Sequence, residues 1–306
     1  MVLNVITLPF EKFEKIVIMA QSLDNLYKST VLRLKALYID QEARAMADRI
    51  MQHFLNLTPT QRITNGTSSA DENKIPLIEN AIIKLLNHVP LQYVLGKAYF
   101  LDLEFDVTSS VLIPRPETEE MLSLILKDYQ SGTLVKNLRI LDIGTGSGCI
   151  AISLKHYLPE STVTAVDISQ EALHVAADNA VKNNTSVAFI QTDILDFNQW
   201  DSFAQFDLIV SNPPYVTHSE KQFMHPNVLD HEPHTALFVP DDDPLIFYRR
   251  IVNFAKSKLS DRGCLWFEIN EMFGDELKNM ALSQGFKEVN NIFDIRGKSR
   301  FLQCFK

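Results

Sequence analysis

Basic residues are in short supply. Lys and Arg number 29 against 38 Asp and Glu, a formal net charge of −9 over 306 residues. Non-specific nucleic-acid binders draw their affinity from cations set against phosphates, so this balance counts against a stable nucleic-acid partner. Cysteine is scarcer still. Cys149, Cys264 and Cys304 lie far apart, with neither zinc nor redox spacing, and are expected as buried thiols in a reducing compartment. No apolar run approaches the roughly 20 residues that span a bilayer, so no membrane partner is expected. The first arginine is Arg33, and Glu11, Lys12, Glu14 and Lys15 interrupt the N-terminal apolar segment. Neither a secretory signal nor an Arg-rich transit peptide is expected there, and the default is a cytoplasmic enzyme.

What is present is an ordinary globular balance, 46% hydrophobic and 22% charged. The length allows one large domain or two modest ones, with a sizeable core. Residues 1–90 read as helices. Asp40 suits an N-cap with Glu42 in the first turn, and Ala43, Met46, Ala47, Ile50, Met51 and Phe54 then recur on one helical face. After a polar loop over 64–69, a second helix is expected from Lys74 to His88, with Ile78, Ile82, Leu85 and Leu86 on one side. From Tyr99 the period changes to two: Leu101, Leu103, Phe105 and Val107 alternate with Asp102, Glu104 and Asp106. Residues 91–115 are therefore read as a β-hairpin connector.

From Pro116 to the C-terminus, strand and helix patterns alternate. Strands are expected at Leu138–Ile143, Val163–Asp167, Val187–Gln191, Asp207–Ser211, Cys264–Ile269, Glu288–Ile295 and Arg300–Phe305, with helices over 117–129, 148–157, 170–183, 245–258 and 271–284. Such alternation implies an α/β fold: a mostly parallel seven-stranded sheet covered on both faces, binding its ligand beyond the carboxyl ends of the strands. Only Arg296–Ser299 separates the last two strands, so the final one is expected to run antiparallel.

Three features carry chemistry. Gly144-Thr145-Gly146-Ser147-Gly148 joins the first strand of this sheet to its helix. Glycines there allow a tight turn and a close approach of ligand to backbone, or simply a tight turn. The spacing is G-x-G-x-G and not that of dinucleotide binders, and Asp142 beside it suits a cationic amino-acid moiety better than a pyrophosphate. Asp167 ends the next strand, where a carboxylate can accept from both hydroxyls of a ribose or cap the helix that follows, though Ser169 is the better cap. Asp193, after the third strand, can meet an adenine amino group or hold a turn. The strand Asp207–Ser211 then runs into Asn212-Pro213-Pro214-Tyr215. Two prolines break the ladder and leave carbonyls without backbone donors beside them. Asn212 adds a side-chain oxygen and Tyr215 a flat face, a set suited to a planar NH2 group.

Together these features resemble class I S-adenosylmethionine methyltransferases that modify planar amino groups. Pro90–Gly96, the stretch Val111-Leu112-Ile113-Pro114-Arg115-Pro116-Glu117-Thr118-Glu119, Glu232-Pro233 with Ala236-Leu237, and Phe247-Tyr248-Arg249 narrow the resemblance to the protein-(glutamine-N5) methyltransferase family that acts on peptide-chain release factors. It runs from about Pro90 to the C-terminus and is weaker before it, where Glu42-Ala43-Arg44 fits. Two stretches depart from the family pattern: Asn270 stands where many relatives have glycine, and Val239–Pro244 replaces a glycine-rich turn.

The resemblance implies a helical substrate-docking domain over 1–90, the connector over 91–115 and a Rossmann-like methyltransferase domain over 116–306. It implies S-adenosylmethionine, leaving as S-adenosylhomocysteine, held by Gly144–Gly148, Asp167, Asp193 and Asn212. Asn212, Pro213, Pro214 and Tyr215 would bind the substrate, the glutamine of a Gly-Gly-Gln loop in a release factor, with Asn212, Pro213 and Tyr215 catalytic. No metal is implied, and a monomer is the simplest expectation. Competing readings are an N6-adenine nucleic-acid methyltransferase, a glutamine methyltransferase of a ribosomal protein, a non-catalytic adaptor, and a metal site among His218, His225, His231, His234, Asp230 and Glu232, whose spacings match no regular ligand pattern.

Overall fold

The computed structural model describes residues 22–130 and 137–306. Residues 1–21, which bear on the signal- and transit-peptide expectation, lie outside the described residues. The chain divides into two compact units, Met1–Leu95 and Gly96–Lys306.

The first unit contains α1 (Leu23–Leu34), α2 (Asp40–Leu55), α3 (Pro59–Thr64), α4 (Ile75–Leu86) and α5 (Leu91–Leu95). The apolar stripes meet as expected: Ala43, Ala47, Ile50 and Met51 of α2 pack with Ile78, Ile82 and Leu85 of α4 and with Leu26 and Leu34 of α1. Arg33 and Glu79 pair between α1 and α4. One expectation is corrected. Asp40 is the first residue of α2 and not its cap; Ile39 takes the cap position without a side-chain bond. The Asp40 carboxylate instead pairs with Lys35 at 3.0 Å and Arg44 at 2.7 Å, two cations that compete with the backbone for it.

The second unit opens on a hairpin of β1 (Lys97–Phe100) and β2 (Leu103–Asp106). The alternation from Leu101 therefore does not mark one continuous strand. Leu101 lies in the turn with φ +51°, and the chain reverses there. The Asn179 side chain clamps the hairpin, accepting from the Asp106 N–H at 2.7 Å and donating to its carbonyl at 2.9 Å. Phe100, Leu103 and Phe105 enter the same core as the sheet, which makes the hairpin part of this unit.

The main sheet follows: α6 (Pro116–Gln130), β3 (Arg139–Ile143), α7 (Cys149–Tyr157), β4 (Thr162–Asp167), α8 (Gln170–Lys182), β5 (Ala188–Gln191), β6 (Phe206–Ser211), the two-residue β7 (Val216–Thr217), the short α9 (Pro226–Leu229), β8 (Phe238–Val239), α10 (Ile246–Lys258), β9 (Leu259–Glu268), α11 (Gly274–Ser283), β10 (Glu288–Phe293) and β11 (Ser299–Phe305). Seven strands lie in the order β10-β11-β9-β6-β3-β4-β5. The five from β9 to β5 pair in parallel, and β11 runs antiparallel to both β9 and β10, as the short final connection requires.

Alternate strand residues feed opposite cores. Ile140, Leu208, Val210 and Trp266 face α6 and α7, while Leu141, Ile143, Ile209, Leu265 and Phe267 face α10 and α11. Each such side chain contributes about 1.5–3 kcal/mol when fully buried. The same parity turns Asp142 toward α7.

Three elements differ from expectation. Strand β9 begins at Leu259, five residues early, with a register shift against Phe206 and Leu208. The helix expected over 271–284 breaks into a 3-10 turn at Glu271–Phe273 and α11. Strands β7 and β8 pair in parallel, and two residues each are too few to show a period. All three cysteines are free and buried, and burial pushes the Cys149 thiol up to about 12.

Candidate active site

At the carboxyl ends of β3, β4 and β6 lies a pocket of about 350 Å³, into which Gly144, Gly146, Asp167, Asp193, Asn212 and Pro213 all face. The glycine loop is held down by its own backbone: Gly144 and Thr145 donate to the Val166 carbonyl at 2.9 and 3.0 Å. Gly144 (φ +75°) and Gly146 (φ +53°) adopt left-handed conformations, and a Cβ built on either meets nothing within 4 Å. Empty space over two pocket-lining glycines is a cradle for a ligand. Gly148 (φ +82°) is different. Its Cβ would meet Ile152 Cδ1 at 2.8 Å and Ala176 Cβ at 3.1 Å, so this glycine serves helix packing.

Thr145 and Ser147 are buried away from the pocket. The Thr145 hydroxyl donates to Asp142 Oδ2 at 2.6 Å, and the Ser147 carbonyl accepts from Asn179 at 2.9 Å. Asp142 is fully buried. Its Oδ2 also accepts from the Ala151 N–H at 3.2 Å, while Oδ1 has no partner among the described residues. Burial is the main reason its carboxyl is pushed up to about 7. An unpaired buried carboxylate oxygen next to the loop favours a nearby cation.

Asp167 ends β4 as expected, and its two oxygens accept from Gly146 N and Ser169 N, each at 2.9 Å. Ser169, not Asp167, caps α8, accepting from Ala172 N at 3.1 Å. Burial raises the Asp167 carboxyl while these amides oppose the shift. Each oxygen keeps a lone pair for a ligand hydroxyl. Asp193 accepts from Leu195 N at 2.8 Å, so it both holds a turn and faces the pocket. Val166, Ile168, Ile194 and Leu195 add apolar wall suited to a flat ring.

Strand β6 delivers Asn212, Pro213 and Pro214 to the same pocket. Asn212 Nδ2 donates to Thr118 Oγ1 at 3.2 Å. Among the described residues no donor reaches Asn212 Oδ1 or the Pro213 carbonyl. Tyr215 is not in the pocket wall. Its hydroxyl turns back and donates to Glu268 Oε1 at 3.2 Å, where burial and the neighbouring carboxylate raise it well above the usual range. The expected flat face is therefore an anchor of the corner. Thr118 and Glu268 themselves are 2% and 1% exposed and joined at 2.6 Å. The sequence gives neither a role, although Thr118 lies in the Val111–Glu119 stretch, because the two come together across 150 residues.

A buried carboxylate also joins the loops at the pocket mouth. Glu232 accepts from the Ile113 N–H at 3.3 Å and from Arg115 at 2.7 Å, and Ser110–Leu112 with Pro233, Thr235 and Ala236 line the pocket. That gives the Ile-Pro-Arg-Pro and Glu-Pro segments a shared role. The histidines near it are engaged elsewhere: His225 with Asn227 at 2.8 Å, His234 with the Leu229 carbonyl at 2.8 Å, and His218 stacked on Phe238. Among the described residues no cluster of three or more His, Cys, Asp or Glu can hold a metal ion, and no helix is long and apolar enough to cross a membrane.

Residues 120–232 match the methyltransferase small domain family, and residues 25–96 match the PrmC N-terminal domain family. A release factor glutamine methyltransferase of Flavobacterium psychrophilum is 41% identical over 276 residues, covering 89% of this chain and 95% of that protein. One from Bacteroides thetaiotaomicron is 46% identical over 225 residues, covering 74% and 79%. Among solved structures, a methyltransferase from Pyrococcus furiosus superposes with a TM-score of 0.49 at 18% identity, covering 74% of this chain and 98% of its own. The seven-stranded sheet is that of a class I methyltransferase, and the chain belongs to the release factor glutamine methyltransferase family.

Proposed function

We propose that this chain methylates the side-chain amide nitrogen of the glutamine in the Gly-Gly-Gln loop of a peptide-chain release factor, in the cytoplasm. The observation that carries the reading is the Asn212 corner: an amide whose NH2 end donates to Thr118 and whose oxygen, like the Pro213 carbonyl beside it, meets no donor among the described residues, in a pocket shared with the glycine loop.

A glutamine nitrogen is a poor nucleophile because its lone pair is delocalised into its own carbonyl. Asn212 Oδ1 and the Pro213 carbonyl accept its two N–H bonds. Two fixed acceptors favour positive charge growing on that nitrogen, a preorganised electrostatic contribution. They also hold the amide still, which replaces a bimolecular encounter by a positioned one. The product nitrogen is a strong acid and gives up its proton to water, so no side-chain base is needed. Tyr215, tied to Glu268, keeps the corner from swinging away.

Gly144 and Gly146 leave room for S-adenosylmethionine along the backbone, Asp167 offers acceptors to its ribose and Asp193 to its adenine amino group, while Asp142, buried behind the loop and outside the pocket lining, favours its ammonium only at a distance. Thr145, Ser147 and Gly148 support the loop from behind. When bound, that cofactor supplies an electrophilic methyl on a sulfonium and leaves as S-adenosylhomocysteine. The helical unit, which matches the PrmC N-terminal family, is assigned to docking the release factor.

The same acceptor pair suits an exocyclic adenine amine, so the substrates must be compared directly. Methyl transfer from labelled S-adenosylmethionine is expected to a release factor and not to DNA or RNA. Label on nucleic acid at a rate equal to that on release factor would overturn the assignment.

A further inference from the structure

A carboxamide has two ends of nearly equal size, so Asn212 serves as an acceptor only if its NH2 end is held away from the substrate. The groups behind it do this in one direction. Asn212 Nδ2 donates to Thr118 Oγ1 at 3.2 Å, and the Thr118 hydroxyl donates its single proton to Glu268 Oε2 at 2.6 Å. Both Glu268 oxygens accept, Oε2 from Thr118 and Oε1 from Tyr215, so the one Thr118 proton is spent on Glu268 and the Thr118 oxygen can only accept from Asn212. If the Asn212 amide were flipped, its oxygen would face the Thr118 oxygen with no proton between them.

Three parts of the fold converge to build this chain. Thr118 lies in the first turn of α6, Glu268 is the last residue of β9, and Asn212 follows β6. The second carboxylate oxygen, Oε1, accepts from the Tyr215 hydroxyl at 3.2 Å, and the Glu268 carbonyl accepts from the Tyr248 hydroxyl of α10 at 3.1 Å. One buried carboxylate therefore grips both ends of the Asn-Pro-Pro-Tyr corner. Burial raises the Glu268 carboxyl, while Thr118, Tyr215 and the nearby Arg300 charge oppose the shift.

We infer that Thr118 and Glu268 are positioning residues: the carboxylate sets the direction of a hydrogen-bond chain that keeps the Asn212 oxygen facing the substrate amide. The inference rests on the acceptor role of Asn212 proposed above. It separates from that role experimentally, because neither residue lines the pocket.

The test is a double-mutant cycle on the full chain, following methyl transfer to release factor and titrating S-adenosylhomocysteine as the check on folding. Thr118→Val keeps the shape and removes the hydroxyl. It is expected to lower kcat roughly tenfold or more, the effect of one lost orienting hydrogen bond, with KM and S-adenosylhomocysteine affinity within about twofold. Thr118→Ser restores the hydroxyl and most of kcat. In an Asn212→Ala background Thr118→Val should cost nothing further, since the group it orients is gone. Full kcat in Thr118→Val, or losses that multiply in the double variant, overturns the inference while leaving Asn212 as acceptor. A wild-type chain that transfers no methyl to release factor overturns the acceptor role itself.

Discussion

Asn212 and Asp167 both line one pocket, and the proposed function gives them separable jobs. Asn212→Ala removes an acceptor that matters only while charge grows on the substrate nitrogen. It should lower kcat by roughly 10²–10³-fold and leave S-adenosylhomocysteine affinity unchanged. Asp167→Ala should do the reverse and weaken that affinity, because it removes the ribose acceptors and frees the Gly146 amide they hold. Paired calorimetric titrations and rate measurements distinguish the two, and an Asn212 variant with lost affinity but intact kcat would refute the assignment. Asp142 yields a prediction in pH. Its folded carboxyl titrates near 7, far above its unfolded value, because it is buried. The folded chain therefore holds a proton that the unfolded chain releases near pH 4, and stability falls as pH rises from about 4 to 7, then levels off. Asp142→Asn should make the cofactor-free chain more stable by about 2 kcal/mol above pH 7, should have little effect below pH 4, and should bind S-adenosylhomocysteine roughly tenfold more weakly. Denaturant unfolding across that range checks it; equal stabilisation at every pH contradicts it.

The loop after β3 shows how one motif divides its labour. Gly144→Ala places a methyl in open pocket space and costs about 1 kcal/mol for its left-handed backbone, so its main effect should be on cofactor affinity. Gly148→Ala drives a methyl into Ile152 and Ala176 and should cost about 2–3 kcal/mol in thermal or denaturant unfolding. Equal destabilisation by the two variants would remove the distinction. At this scale most elements were legible in advance, because buried parallel strands and the helices between them carry strong periods. Asp40 misled because Lys35 and Arg44 claim its carboxylate. The β1–β2 hairpin was blurred because alternation runs straight through its turn at Leu101. Strands β7 and β8 were silent, being two residues long.

For the molecule as a whole, the two units carry different amounts of sequence signal. The sheet unit holds the glycine loop, the two aspartates and the Asn-Pro-Pro-Tyr corner, each a local word in the sequence, and their order along the strands brings them to one pocket. Long-range partnerships had no such signature. Thr118 with Glu268, and Arg115 with Glu232, span 150 and 117 positions and became visible only when the strands and loops were assembled. Tandem mass spectrometry of a release factor incubated with this chain and S-adenosylmethionine tests the central claim most directly. The account predicts one added methyl on the side-chain nitrogen of the Gly-Gly-Gln glutamine, abolished by omitting the cofactor and sharply reduced by Asn212→Ala. A methyl on any other residue, or an unmodified glutamine after full incubation, would contradict it.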